Sequence, residues 1–146
     1  MRVVAGTHRG RRLHRPPGLG TRPTSDRVRE ALFSMLADNV TGARVLDLFA
    51  GSGALGIEAL SRGAARAVFV ESSRSTVETV QRNLSELGLD ARVHRRDALS
   101  YLRGAGGSSH YDLVFLDPPY DCAPRVAAPV AGLLPAVLTE NALIVT

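Results

Sequence analysis

The stretch Asp47-Leu48-Phe49-Ala50-Gly51-Ser52-Gly53-Ala54-Leu55-Gly56 lies where an apolar run, 45–49, gives way to a helical pattern, 54–61. Its glycines let a ligand approach the backbone, and the first turn of the following helix presents N–H groups without intrahelical partners. Strand, glycine turn and helix in that order open a parallel α/β sheet. By itself Gly51-x-Gly53-x-x-Gly56 matches a dinucleotide fingerprint, and Glu71, at the end of the next apolar run, stands where a ribose carboxylate would.

Asp47 separates the ligand classes. A carboxylate at the carboxyl end of the first strand would face a pyrophosphate with like charge and weaken its binding. A ligand with a cationic centre and an amino group would gain from it. S-adenosylmethionine has a sulfonium, an α-ammonium and a ribose, and Glu71 can accept hydrogen bonds from both ribose hydroxyls.

Outward from this turn, strand-like runs at 45–49, 67–70, 91–94, 113–116 and 142–145 alternate with helical patterns at 54–61, 77–87, 98–102 and 126–138. Such alternation predicts an α/β, Rossmann-like, doubly wound and mostly parallel sheet covered on both faces. The third run leads to Asp97-Ala98, which places another acid at the same sheet edge as Asp47 and Glu71. Asp97 can cap the next helix and also hold an adenine amino group. Gly, Ala and Ser at 104–109 read as a solvated turn.

After the fourth run comes Leu116-Asp117-Pro118-Pro119-Tyr120. Two prolines stiffen the backbone and remove N–H donors, so the loop is rich in acceptors. An exocyclic base amino group is a poor nucleophile because its lone pair is delocalised into the ring. Accepting its two N–H hydrogens at Asp117 and the Pro118 carbonyl favours a pyramidal nitrogen aligned for attack on a methyl group. Tyr120 offers a ring for stacking on a base swung out of its helix.

The 146 residues, 45% of them apolar, fit one globular unit. Residues 1–29 hold eight arginines against one acid, Asp26, for a local +7, while the remainder holds ten arginines against thirteen acids, or −3. A basic extension, 1–38, is therefore expected to pack on a mildly acidic body, 39–146. In the extension, 2–5 and 11–14 read as a hairpin, and a helix from Thr24-Ser25 to about Asp38 is expected to bury Val28, Ala31, Leu32, Met35 and Leu36. Arg2, Arg9, Arg11, Arg12, Arg22 and Arg27 are the candidate RNA contacts, since arginine forks fit phosphates and stack on bases. No run approaches the roughly 20 apolar residues of a membrane helix, nothing resembles a signal peptide, and the lone Cys122 reads as inert, so a cytoplasmic protein is expected.

Together Asp47 to Gly53, Glu71, Asp97 and Asp117-Pro118-Pro119-Tyr120 resemble the class I S-adenosylmethionine-dependent amino-methyltransferases. The opening, 2–13, with 21–33, is similar more narrowly to the RsmD family, along nearly the whole chain. That resemblance implies methylation of a guanine N2 in 16S ribosomal RNA, with small ribosomal subunits as substrate. It implies cofactor contacts from Asp47, Gly51, Gly53, Glu71, Asp97 and Ala98, and base contacts from Asp117, Pro118 and Tyr120. The segment Arg22-Pro23-Thr24 would lie beside the cofactor's carboxylate end. Direct transfer is expected, by a monomer, with no metal and no covalent enzyme intermediate. Sheets of this class usually have seven strands, so a hairpin of about 40 residues is expected beyond Thr146. A DNA amino-methyltransferase, an NAD-dependent oxidoreductase and a non-catalytic RNA-binding assembly factor stay open as alternatives on the motifs alone.

Overall fold

A computed structural model describes residues 1–17, 25–105, 110–119 and 123–146. Five strands, β1 (Arg44–Asp47), β2 (Arg66–Glu71), β3 (Arg92–Arg95), β4 (Tyr111–Phe115) and β5 (Leu138–Val145), form one sheet in the order β3-β2-β1-β4-β5. Every neighbouring pair is parallel. Strand order reverses between β1 and β4, and in open α/β sheets ligands bind in the crevice above that reversal.

The helices are α1 (Asp26–Leu36), α2 (Ala54–Ser61), α3 (Arg74–Leu87), α4 (Ala98–Ala105) and α5 (Ala123–Leu133). Val45, Phe69, Leu113 and Phe115 point to one face of the sheet and pack with Phe33 of α1, Ile57 of α2, and Val80 and Leu84 of α3. Leu46, Val70 and Val114 point to the other face and pack with Tyr101 and Leu102 of α4 and Val130 of α5. Both faces of β1 are thus buried, which explains why its sequence is a continuous apolar run instead of an alternating one. The doubly wound architecture matches the expectation, and the helix 54–61 falls where the pattern placed it. No helix among the described residues is long and apolar enough to cross a membrane.

Two expectations are corrected. The fifth strand starts at Leu138, not at 142, because Leu134–Val137 is a short 3-10 turn and the polar residues Thr139, Glu140 and Asn141 already belong to the strand. The buried side of α1 is Arg29, Phe33 and Leu36, whereas Val28 is 54% and Met35 83% exposed. The physical reason is a polar core: Arg29 and Glu58 are both fully buried and paired at 2.9 Å. The Glu58 carboxylate also accepts from the backbone N–H groups of Val4 and Ala5, at 2.8 and 3.0 Å, and from Arg62 Nε at 2.8 Å. Arg29 Nη2 donates to the Arg2 carbonyl at 2.8 Å and to Asp26, while Nε is buried without a partner among the described residues. Ser25 caps α1, its Oγ accepting from Val28 N at 3.2 Å.

The extension folds back as the expected hairpin, with Arg2 opposite Arg12 and with Val3 and Leu13 buried. Gly6, at φ +89°, lies so close to α2 that a Cβ would stand 1.9 Å from the Ser61 carbonyl oxygen. On its other side the hairpin covers the end of α3, where a His8 ring nitrogen meets the Leu87 carbonyl at 3.0 Å and Arg11 Nη2 donates to the Glu86 carbonyl at 2.8 Å.

Candidate active site

Past β1 the chain turns through a bond from Gly53 N to the Ala50 carbonyl at 2.8 Å, and Gly51 and Gly53 take φ of +57° and +84°. The glycines of the fingerprint play different parts. A Cβ on Gly51 would meet open space, so this position leaves room for a ligand against the backbone. Gly53 is the N-cap of α2, and a Cβ there would press on Val80 at 3.2 Å. Gly56 serves packing alone, since a Cβ would stand 2.4 Å from the buried Phe69 ring.

Asp47 ends β1 and is 1% exposed, with Oδ2 accepting from Gly56 N at 3.1 Å. It therefore caps the first turn of α2. Burial above all, with the negative charges of Asp117 and Glu71 adding to it and the Gly56 bond opposing it, raises its pKa to about 8. A buried carboxylate in that condition is poised to gain from a cation.

Glu71 ends β2, next to β1, and bridges two turns, with Oε1 accepting from Gly51 N at 3.1 Å and Oε2 from Ser73 N at 2.9 Å. Asp97 follows β3 and caps α4, its Oδ2 accepting from Leu99 N at 3.1 Å and Ser100 N at 3.2 Å, while Ala98 behind it is buried. Asp117 follows β4 and is exposed, and Pro118 is half-buried. The Pro119 carbonyl accepts from Ala123 N at 3.1 Å and so ties the proline loop to α5. Four acids thus stand at the carboxyl ends of four consecutive strands, β3, β2, β1 and β4, with the reversal point among them. Tyr120 and Arg22 lie outside the described residues.

Of the arginines expected to meet RNA, Arg9, Arg12 and Arg27 are exposed. Arg2 and Arg11 donate to backbone carbonyls, Arg2 Nη1 reaching Gly10 at 2.8 Å. One residue near the site escaped the sequence reading. Asn83 of α3 is 1% exposed, and its Nδ2 donates to the Ser52 carbonyl of the glycine loop at 2.9 Å and to the His14 carbonyl at 3.1 Å. Its Oδ1 accepts from His14 N at 2.8 Å. An amide among the apolar positions Val80, Leu84 and Leu87 was the available signal, because a buried amide must find partners.

The family model described as "Conserved hypothetical protein 95" matches residues 1–146. Bacillus subtilis (strain 168) YlbH, provisionally named an rRNA methyltransferase, is 46% identical over 123 residues, which are 82% of this chain and 67% of that protein. Ribosomal RNA small subunit methyltransferase D of Escherichia coli (strain K12) is 46% identical over 121 residues, covering 82% of this chain and 60% of that protein. Among solved structures, Escherichia coli yhhF, provisionally named a methyltransferase, superposes with a TM-score of 0.87 at 40% identity, covering 99% of this chain and 78% of that one. The chain accordingly spans about two thirds or less of the length of these two curated relatives.

Proposed function

Because the chain belongs to the family described as Conserved hypothetical protein 95, we propose that it transfers a methyl group from S-adenosylmethionine to the exocyclic N2 of a guanine in 16S rRNA of the small ribosomal subunit. The observation that carries this reading is the row of Asp97, Glu71, Asp47 and Asp117 along one sheet edge, above open space at Gly51. The buried Asp47 fits a ligand that brings positive charge, which a dinucleotide pyrophosphate does not.

When bound, the cofactor supplies an electrophilic methyl group on sulfur. Glu71 accepts hydrogen bonds from the ribose hydroxyls, Asp97 and Ala98 hold the adenine end, and Gly51 and Gly53 let the ligand lie against the turn. Asp117 and the Pro118 carbonyl accept the two N–H hydrogens of the guanine amino group, and Tyr120 stacks on the base. Catalysis then comes from alignment and from acceptors fixed in place before the reaction. The exposed Arg9, Arg12 and Arg27, with Arg22 and the partly engaged Arg2 and Arg11, hold the RNA. The similarity to ribosomal RNA small subunit methyltransferase D of Escherichia coli supports this substrate.

The test is transfer of labelled methyl to small ribosomal subunits, with DNA and isolated ribosomal proteins as parallel acceptors, followed by nucleoside identification. Label in N2-methylguanosine is expected. Label only in DNA, or none in any acceptor from a folded protein, defeats the reading.

A further inference from the structure

At the opposite edge of the sheet the first residues of three adjacent strands are arginines: Arg44 of β1, Arg66 of β2 and Arg92 of β3. They occupy the same face, because Leu46 and Val70, two and four positions along their strands, both pack against α4 and α5. Arg44 is registered directly beside Arg66, and Arg92 beside Val68. Together with Arg96 they surround a cavity of about 470 Å³, floored by Val68, Tyr101 and Tyr111 and flanked by His94 and His110.

Cations in register on neighbouring strands repel, and such a pair lowers sheet stability. One acid relieves them: Asp112 pairs with Arg44 at 3.4 Å. Arg66 and Arg92 are exposed and have no ion pair among the described residues, and Arg96 is held on the rim by its bond to the Ser100 carbonyl at 3.0 Å. His94 stacks against Tyr101 with ring centroids 5.1 Å apart. Burial, then Arg92 and Arg96, push its pKa below the usual histidine value, so two of these guanidiniums act on one wall of the cavity. The body is therefore not uniformly mildly acidic. Asp97, Glu71, Asp47 and Asp117 stand at the carboxyl edge, whereas Arg44, Arg66 and Arg92 stand at the amino edge and Arg96, just past β3, closes the cavity from its other end.

We propose that this amino-edge cavity is a second RNA-binding site, in which Arg66, Arg92 and Arg96 hold backbone phosphates of the RNA whose base is presented at the carboxyl edge. Arginine forks match phosphate oxygens. Arg44, Arg66 and Arg92 stand in a staggered row across two strand spacings, about 10 Å, with Arg92 level with Val68. A row suits successive phosphates of a chain, whereas a lone small anion calls for converging donors. The assignment rests on the RNA substrate proposed above, and it adds a contact on the face of the sheet opposite the one that the basic extension packs on.

The experiment compares the protein with its Arg66→Gln/Arg92→Gln variant, in which both changed side chains are exposed. Affinity for small ribosomal subunits is measured across a salt series, alongside thermal shift with S-adenosylmethionine. The expected result is roughly 10-fold weaker subunit binding, and a log Kd against log salt slope lower by about 2, one per lost phosphate contact. Cofactor shift stays unchanged. Equal affinity and slope in the two proteins overturn the proposal. Tripolyphosphate that raises the parent's Tm but not the variant's, with subunit binding equal, also overturns it and assigns the cavity to a free polyphosphate. If subunit binding falls as expected while the parent transfers no methyl group, the methyltransferase reading fails and the phosphate site stands.

Discussion

Arg29 and Glu58 meet at 2.9 Å with both side chains fully buried, so α1 and the helix behind the glycine loop are joined by an ion pair shut off from water. Removing Arg29 leaves the buried Glu58 charge with Arg62 and two backbone N–H groups alone. Arg29→Met is expected to lower unfolding stability by about 3–5 kcal/mol, and adding Glu58→Gln should restore part of the loss. Chemical denaturation of the single and double variants measures both. A single-variant loss under about 1 kcal/mol would place the pair among the weak surface bridges.

Asp47 gives the protein a pH signature. Its folded pKa of about 8 lies above the unfolded carboxylate value, so the native state holds the extra proton between those two values. The contribution to stability is complete below the unfolded pKa and is lost as pH rises through the folded one. Asp47→Asn should therefore gain on the parent steadily from pH 5 to 8 and level off beyond. A constant difference across that range contradicts the buried, protonated acid.

The same proton should report on the ligand. A cation drawn to Asp47 favours its ionised form, so S-adenosylmethionine binding at pH 7 is expected to release up to about one proton. Calorimetry in buffers of different ionisation enthalpy counts it. A count of zero, with binding intact, would mean that the cofactor's positive charges lie away from Asp47.

The glycines of the loop should separate by readout. Gly56→Ala drives a Cβ toward the Phe69 ring and should cost about 1–3 kcal/mol of stability, with Phe69→Leu recovering some of it. Gly51→Ala places its Cβ in open space but at φ +57°, so beyond a backbone cost of about 1 kcal/mol it should act on cofactor affinity. If Gly51→Ala proved the more damaging to folding, this division of labour would be wrong.

Asp117→Ala is expected to lower kcat by about 100-fold or more while cofactor affinity stays within about 3-fold, as for loss of one preorganised transition-state contact. Asp117 is exposed, and thermal shift checks that the variant is folded. Near-normal kcat would remove Asp117 from the catalytic role.

The sheet was legible because its central strands are buried on both faces, β1 and β2 ending at an acid and β4 running into Asp117-Pro118-Pro119, signals that survive in one dimension. The acids of the carboxyl edge were legible for the same reason, since each stands at or just beyond a strand end. The side of α1 was not, because a hydropathy pattern counts Arg29 as polar and Met35 as apolar, while the fold buries the first and exposes the second. Glu58, an acid inside the otherwise apolar 54–61, was the missed clue. Nor could the arginines of the amino edge be grouped from sequence, since Arg44, Arg66 and Arg92 become neighbours only through strand order.

Asn83 holds the hairpin's far end and the glycine loop with one amide group, at His14 and at Ser52. A shared tether of this kind makes two surfaces thermodynamically answerable to each other. If cofactor at the loop stiffens Ser52, the arm is stiffened by the same atoms, and RNA seated on the arm must favour the loaded loop by the same factor in return. The coupling would then be written into a single side chain, and Asn83→Leu would leave two ligands that bind as strangers.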